Sequence, residues 1–155
     1  DLHSFPTRRS SDLSLNNNSF NWSGSSVTCN KSATGDGNPN NILDGNTASK
    51  TCIYGIPDAS DPTIFTITLG NSLDIGTYNK WQWWTGGDAE GRDPIDFSLY
   101  GSVDGTEWVE LDNVEGATVT TNRQALGYEK TLSTGSTIIT IKNKYVKIEG
   151  QWVEY

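Results

Sequence analysis

At 155 residues the chain is long enough for one domain that buries about two-thirds of its unfolded surface, and it does not call for a second core. Nineteen acidic against 11 basic residues leave a net charge of -8 and a pI near 4.4, which repels a nucleic-acid backbone or an anionic membrane surface over most of the molecule. No apolar run approaches the ~20 residues of a membrane span, and no signal peptide with a basic start and apolar centre is visible.

Residues 5–13, FPTRRSSDL, resemble the translation of a common short-read sequencing adapter. Residues 1–13 are therefore set outside the fold as an assembly scar, and the domain is expected over residues 14–155. His3, the single histidine, goes with that segment, while the net charge stays at -8 because two arginines and two aspartates leave together. The lack of any methionine fits a reading frame cut at its upstream end, so the natural protein is expected to be longer.

From there the chain reads as short strands. Residues 16–19 are a polar lead-in, residues 25–29 a first strand, and residues 30–41, rich in Gly, Asn, Asp and Pro, a loop. After a turn at Asp44, residues 51–54 are expected as a short strand, followed by a loop through Pro57, Asp58, Asp61 and Pro62. Phe65, Ile67 and Leu69 alternate with Thr66 and Thr68, the clearest half-buried strand, and residues 78–84 form another.

Phe97 and Leu99 alternate with Ser98 and Tyr100, and Asp104-Gly105 then predicts a two-residue type I′ hairpin, since Asp tolerates and Gly accepts positive φ. Trp108 and Leu111 start the return strand, residues 113–124 are a longer polar connection, and residues 128–132, 138–141 and 146–148 supply the last strands. No helix is expected. Six Trp, six Tyr and many β-branched residues favour strands, and 16 Gly supply turns, so an all-β sandwich or barrel of antiparallel strands follows.

Four pieces of sequence resemble the coagulation-factor type C domain, also called the discoidin domain, and most closely its bacterial branch, carbohydrate-binding module family 32. They are Asn41-Ile-Leu-Asp-Gly-Asn46; the strand and Leu-Gly of residues 63–70; Arg92-Asp93-Pro94 with Tyr100-Gly-Ser-Val-Asp-Gly105 and Trp108; and Lys144-Tyr-Val-Lys-Ile148. They occur in family order over roughly 110 residues. The resemblance selects a β-sandwich of jelly-roll type and implies a non-catalytic module that tethers a secreted or cell-surface protein, a glycan-degrading enzyme, to its polysaccharide.

Cys29 and Cys52, with 22 residues between them, suit a disulfide in a secreted protein, worth about 3 kcal/mol in the chain-entropy model. The other reading is two unpaired small core residues. Neither Cys-x-x-Cys spacing nor a histidine partner points to zinc.

The resemblance also implies a structural Ca²⁺ beside the first Asp-Gly, an ion that takes about six to eight hard oxygen donors. Matched position by position, Asp44 is the carboxylate, Asn46 the amide, Ser49 the hydroxyl and carbonyl, and Asn41 a carbonyl donor. A glutamate on the last strand completes the family's shell, and Glu154 is the candidate here. The competing reading is a bare Asp44-Gly45 turn.

Sugars in such modules are held on end loops, where a ring stacks on a pyranose face and polar groups grip its hydroxyls. Trp84, Tyr54, Asp88 and Arg92 have that chemistry. Each has a structural alternative: Trp84 packs under a loop, Tyr54 covers the Asp44 loop, and Arg92 pairs with Asp93, Asp96 or Asp88. Galactose-binding relatives use a histidine just after the Asp-Gly segment, and here Tyr54 falls in that region. Trp22, Trp108 and Trp152 are assigned core or covering roles.

Enzyme chemistry finds little support, because no histidine remains and acidic pairs such as Asp58/Asp61 or Asp88/Glu90 lie in loops. The alternative function is an adhesion or spacer domain of an extracellular protein with a protein ligand, a lipid ligand or none. The acidic, glycine-rich loops count against membranes.

Overall fold

The computed structural model describes residues 12–15, 18–33, 37–52, 60–87, 92–132 and 142–152. In chain order its strands are β1 (Asp12–Leu15), β2 (Asn18–Ser19), β3 (Ser26–Cys29), β4 (Thr63–Asp74), β5 (Lys80–Trp84), β6 (Pro94–Ser102), β7 (Val109–Val114), β8 (Leu126–Thr131) and β9 (Lys142–Trp152). They form a four-stranded sheet, β2-β1-β5-β8, and a five-stranded sheet, β3-β4-β9-β6-β7, with every pairing antiparallel. Of the sandwich and barrel that the strand spacing left open, the sandwich that the family resemblance selects is the architecture found.

The strand patterns explain the packing. In β4, Phe65, Ile67 and Leu69 are buried while Thr66 is half-buried and Thr68 exposed, as a period-2 strand with one wet face requires. Trp81 and Trp83 of β5 point the same way and meet Phe97 of β6 edge-on, with ring centroids 5.8 and 5.6 Å apart. Tyr128 of β8 closes on Phe97 at 4.9 Å. Those rings join the two sheets, and T-shaped aromatic pairs add to the area they bury. Gly127 is required here, because a Cβ on it would lie 2.1 Å from the Trp83 ring.

One carboxylate crosses the same interior. Asp112 of β7, only 4% exposed, accepts bonds from Trp81 Nε1 at 2.9 Å, Tyr128 OH at 2.8 Å and Lys130 Nζ at 2.5 Å. A buried charge is tolerated when its acceptors are filled by well-placed donors, and here all three donors come from the opposite sheet. Burial, and then the bond to Asp112, push the Tyr128 phenol above its ordinary value.

Several expectations are corrected. A short 3-10 helix, Pro39–Leu43, lies where only loop and turn were expected. Asn38 caps it, its Oδ1 accepting from Asn40 N at 2.9 Å, and Pro39 supplies the fixed φ of a first helical residue. Thr51 and Cys52 are not in a strand; Thr51 Oγ1 instead donates to Asn38 O at 3.1 Å. Residues 53 and 54, and the strand expected at 138–141, lie outside the described residues.

The 102–108 turn is also not type I′. Gly105 has φ 81° but Asp104 does not enter the left-handed region. The Asp104 carboxylate instead accepts from Thr106 N at 2.8 Å and Glu107 N at 3.0 Å, an Asx-type turn that widens the connection. Those bonds hold its carboxyl well below the usual carboxylate range.

Strand β1 begins at Asp12, two residues before the expected domain start, with Asp12 opposite Gln82 and Leu13 opposite Trp81. Ladder bonds are made by the backbone, so almost any extended segment can pair with β5 in this way. Cys29 and Cys52 are not bridged. Cys29 Sγ instead accepts from Lys31 N at 3.4 Å, and the backbone of Cys52 packs against Gly37, where a Cβ would come within 2.1 Å of the Cys52 carbonyl. Burial pushes the Cys29 thiol up.

Candidate functional site

Trp84 ends β5, half-buried, directly opposite Leu126 at the start of β8. The register shifts between Trp83 and Trp84, with Gly127 as the extra residue. Trp81 and Trp83 face the core, so Trp84 and Leu126 share the outer side of the sheet, where Leu126 is 39% exposed. The Trp84 indole nitrogen is buried and meets no acceptor among the described residues.

The loops around it are tied together. Buried Thr85 donates its N–H to Ala125 O at 2.8 Å and its hydroxyl to Asn122 O at 2.9 Å, and accepts from Ala125 N at 3.0 Å. Gln124 N donates to Gly86 O at 3.2 Å. On the other flank a Cβ on Gly86 would lie 4.0 Å from Lys50 Cβ, so the segment after Asp44 borders the same rim.

Arg92 is exposed and forms no ion pair among the described residues. The expected partner Asp93 pairs with Arg123 instead, which joins the 92–93 segment to the 120–125 turn. Asp96, another expected partner, accepts from Gly116 N at 2.7 Å. The structure thus brings Trp84 and Arg92 to linked loops at one end of the sandwich, together with Arg123, Gln124 and Leu126, which sequence reasoning missed. Asp88, Tyr54 and Glu154 lie outside the described residues. The outer face of the five-stranded sheet carries a separate aromatic group, with Lys147 Nζ 4.5 Å from the Tyr100 ring centre and 4.8 Å from that of Trp108.

In the Asp44 loop two of the expected oxygen donors, Asp44 and Ser49, meet, while Asn46 Oδ1 accepts from Ala48 N at 3.0 Å. Asp44 Oδ1 accepts from Asn46 N at 2.7 Å, Oδ2 accepts from the Ser49 hydroxyl, and that hydroxyl also lies 2.9 Å from Asn46 O. Gly45 takes φ 74° to close the turn. Asn41 N donates to Asn38 O while its side-chain amide donates to Lys50 O at 2.8 Å, which leaves its carbonyl facing Asp44 N at 3.5 Å. One carboxylate with neutral oxygens is a hard donor set that suits Ca²⁺. Among the described residues no three His, Cys, Asp or Glu side chains gather to hold a metal.

No family model matches the sequence, and no curated protein matches it. Solved structures do. A family 32 carbohydrate-binding module from Clostridium perfringens, CpGH89CBM32-5, in complex with GalNAc-β-1,3-galactose, is 16% identical, with a TM-score of 0.59 over 82% of this chain and 84% of that one. A module of the same family from a family 31 glycoside hydrolase of Clostridium perfringens is 17% identical, with a TM-score of 0.57 over 84% of each chain. The module of AlyQ, in complex with 4,5-unsaturated mannuronic acid, is 21% identical, with a TM-score of 0.52 over 81% of each chain. The chain has the antiparallel β-sandwich fold of the family 32 carbohydrate-binding modules.

Proposed function

We propose that the chain is a non-catalytic carbohydrate-binding module that holds a secreted or cell-surface protein, a glycan-degrading enzyme, at its polysaccharide. The observation that carries this reading is Trp84, half-buried at the end of β5 opposite exposed Leu126, with exposed Arg92 on a loop tied to the same rim. A ring and an aliphatic side chain offer apolar area to the C–H face of a pyranose, and a guanidinium beside them offers directed donors to its oxygens. Modules of this fold have been solved with GalNAc-β-1,3-galactose and with 4,5-unsaturated mannuronic acid, so both neutral and uronate sugars belong in the test. No helix among the described residues is long and apolar enough to cross a membrane.

The experiment is a glycan array of neutral and uronate oligosaccharides, with the best ligand carried into affinity electrophoresis. Trp84→Ala should weaken retention at least about tenfold, the scale of losing a stacked ring worth about 1.4 kcal/mol, and Arg92→Ala about fivefold. Unchanged retention in both would refute the site. We also propose that Ca²⁺ braces the Asp44 loop, held by Asp44, Asn46, Ser49 and the Asn41 carbonyl, with Glu154 as a further ligand. When bound, the ion would fix the segment that runs to Lys50 at the rim.

A further inference from the structure

Gln124 is the non-glycine residue that, among the described residues, takes a positive φ, 55°. An L side chain resists the left-handed region, so something in the surroundings must hold it there. The Gln124 N–H is bonded to Gly86 O, the next N–H to the Thr85 hydroxyl, and the preceding residue to Asp93. This backbone fixes the direction in which the side chain leaves the chain. Gln124 is exposed, yet its side chain runs along the opposite loop, with Nε2 3.3 Å from where a Cβ of Gly87 would stand. Two residues on, Leu126 lies beside Trp84.

We propose that Gln124 reads sugar hydroxyls above the floor formed by Trp84 and Leu126, a role that rests on the glycan-binding function proposed above. A carboxamide has one carbonyl acceptor and two N–H donors, which matches a vicinal pair of ring hydroxyls, one giving and one receiving a hydrogen bond. Packing of the side chain along Gly87 removes part of the ordering cost that a mobile side chain would bring to binding. Gly87 leaves room for the amide.

Gln124→Gly tests recognition against folding, because glycine accepts the same φ without strain while the whole side chain goes with its carboxamide, and the melting temperature reports any packing lost along Gly87. Wild type and variant are compared on the array of neutral and uronate oligosaccharides, and their melting temperatures are measured alongside. The expected result is retention weakened by about fivefold or more, a lost hydrogen bond, with a melting temperature no lower than wild type. Unchanged retention would overturn this inference while leaving the glycan reading intact. Weaker retention together with a melting temperature several degrees lower would also overturn it, since the residue would then act through the fold. If wild type binds no glycan, the proposed function fails and this role fails with it.

Discussion

Asp44 uses its carboxylate to fix the turn that follows it. Its carboxylate is bonded to Asn46 N and to the Ser49 hydroxyl, and of these the hydroxyl is a donor that the resemblance implies for Ca²⁺. If the loop binds Ca²⁺ as proposed, saturating it at about a hundredfold over its Kd stabilises the chain by about 2.7 kcal/mol, which raises the melting temperature by about 5–10 °C. EGTA should reverse the gain, and Asp44→Ala should abolish the response in a thermal melt. A melt indifferent to both would leave Asp44 a turn former. The turn at Asp44 was legible in the sequence because Asp44, Asn46 and Ser49 lie close together and local turn chemistry gathers them. Gln124 was not legible, because its left-handed backbone is held by the Thr85 and Gly86 bonds from the loop after β5, about forty residues away.

Strands β7 and β8 carry the clearest link between layers. Asp112 is buried in β7, and its three donors sit on β5 and β8, so removing the carboxylate strands an indole N–H, a phenol and an ammonium at once. Asp112→Ala is expected to cost about 3 kcal/mol, the lower end for breaking a buried pair, because Lys130 remains partly solvated. A lower urea midpoint at unchanged m would check it. The same element pairing governed what could be read in advance. The alternation of β4 and the Trp81/Trp83 face of β5 were visible because period 2 is a local pattern. The 3-10 helix and the wide Asp104 turn were misread because Asn and Asp side chains redirected backbone bonds that a propensity argument assigns elsewhere.

For the whole molecule, the open matter at the N-terminus is which residues belong to the folding unit. We propose residues 14–155, and β1 allows a direct test, since Asp12 and Leu13 add two backbone pairings to β5. A chain beginning at Ser14 should still unfold cooperatively in urea, at a loss of about 1–2 kcal/mol for those ladder bonds. Loss of cooperative unfolding would place the earlier residues inside the domain. Taken alone, the sequence determined the all-β class, the buried faces of the main strands and the turn at Asp44, because alternation and turn residues act over a few positions, while the choice of a sandwich over a barrel came from the family resemblance. Tertiary structure decided what depends on distant partners. It gave Asp93 to Arg123 rather than Arg92, left Cys29 and Cys52 unbridged, set Leu126 beside Trp84, and turned Gln124 toward the rim. Each of those choices is made between segments far apart in the chain, where packing and charge pairing outweigh local preference.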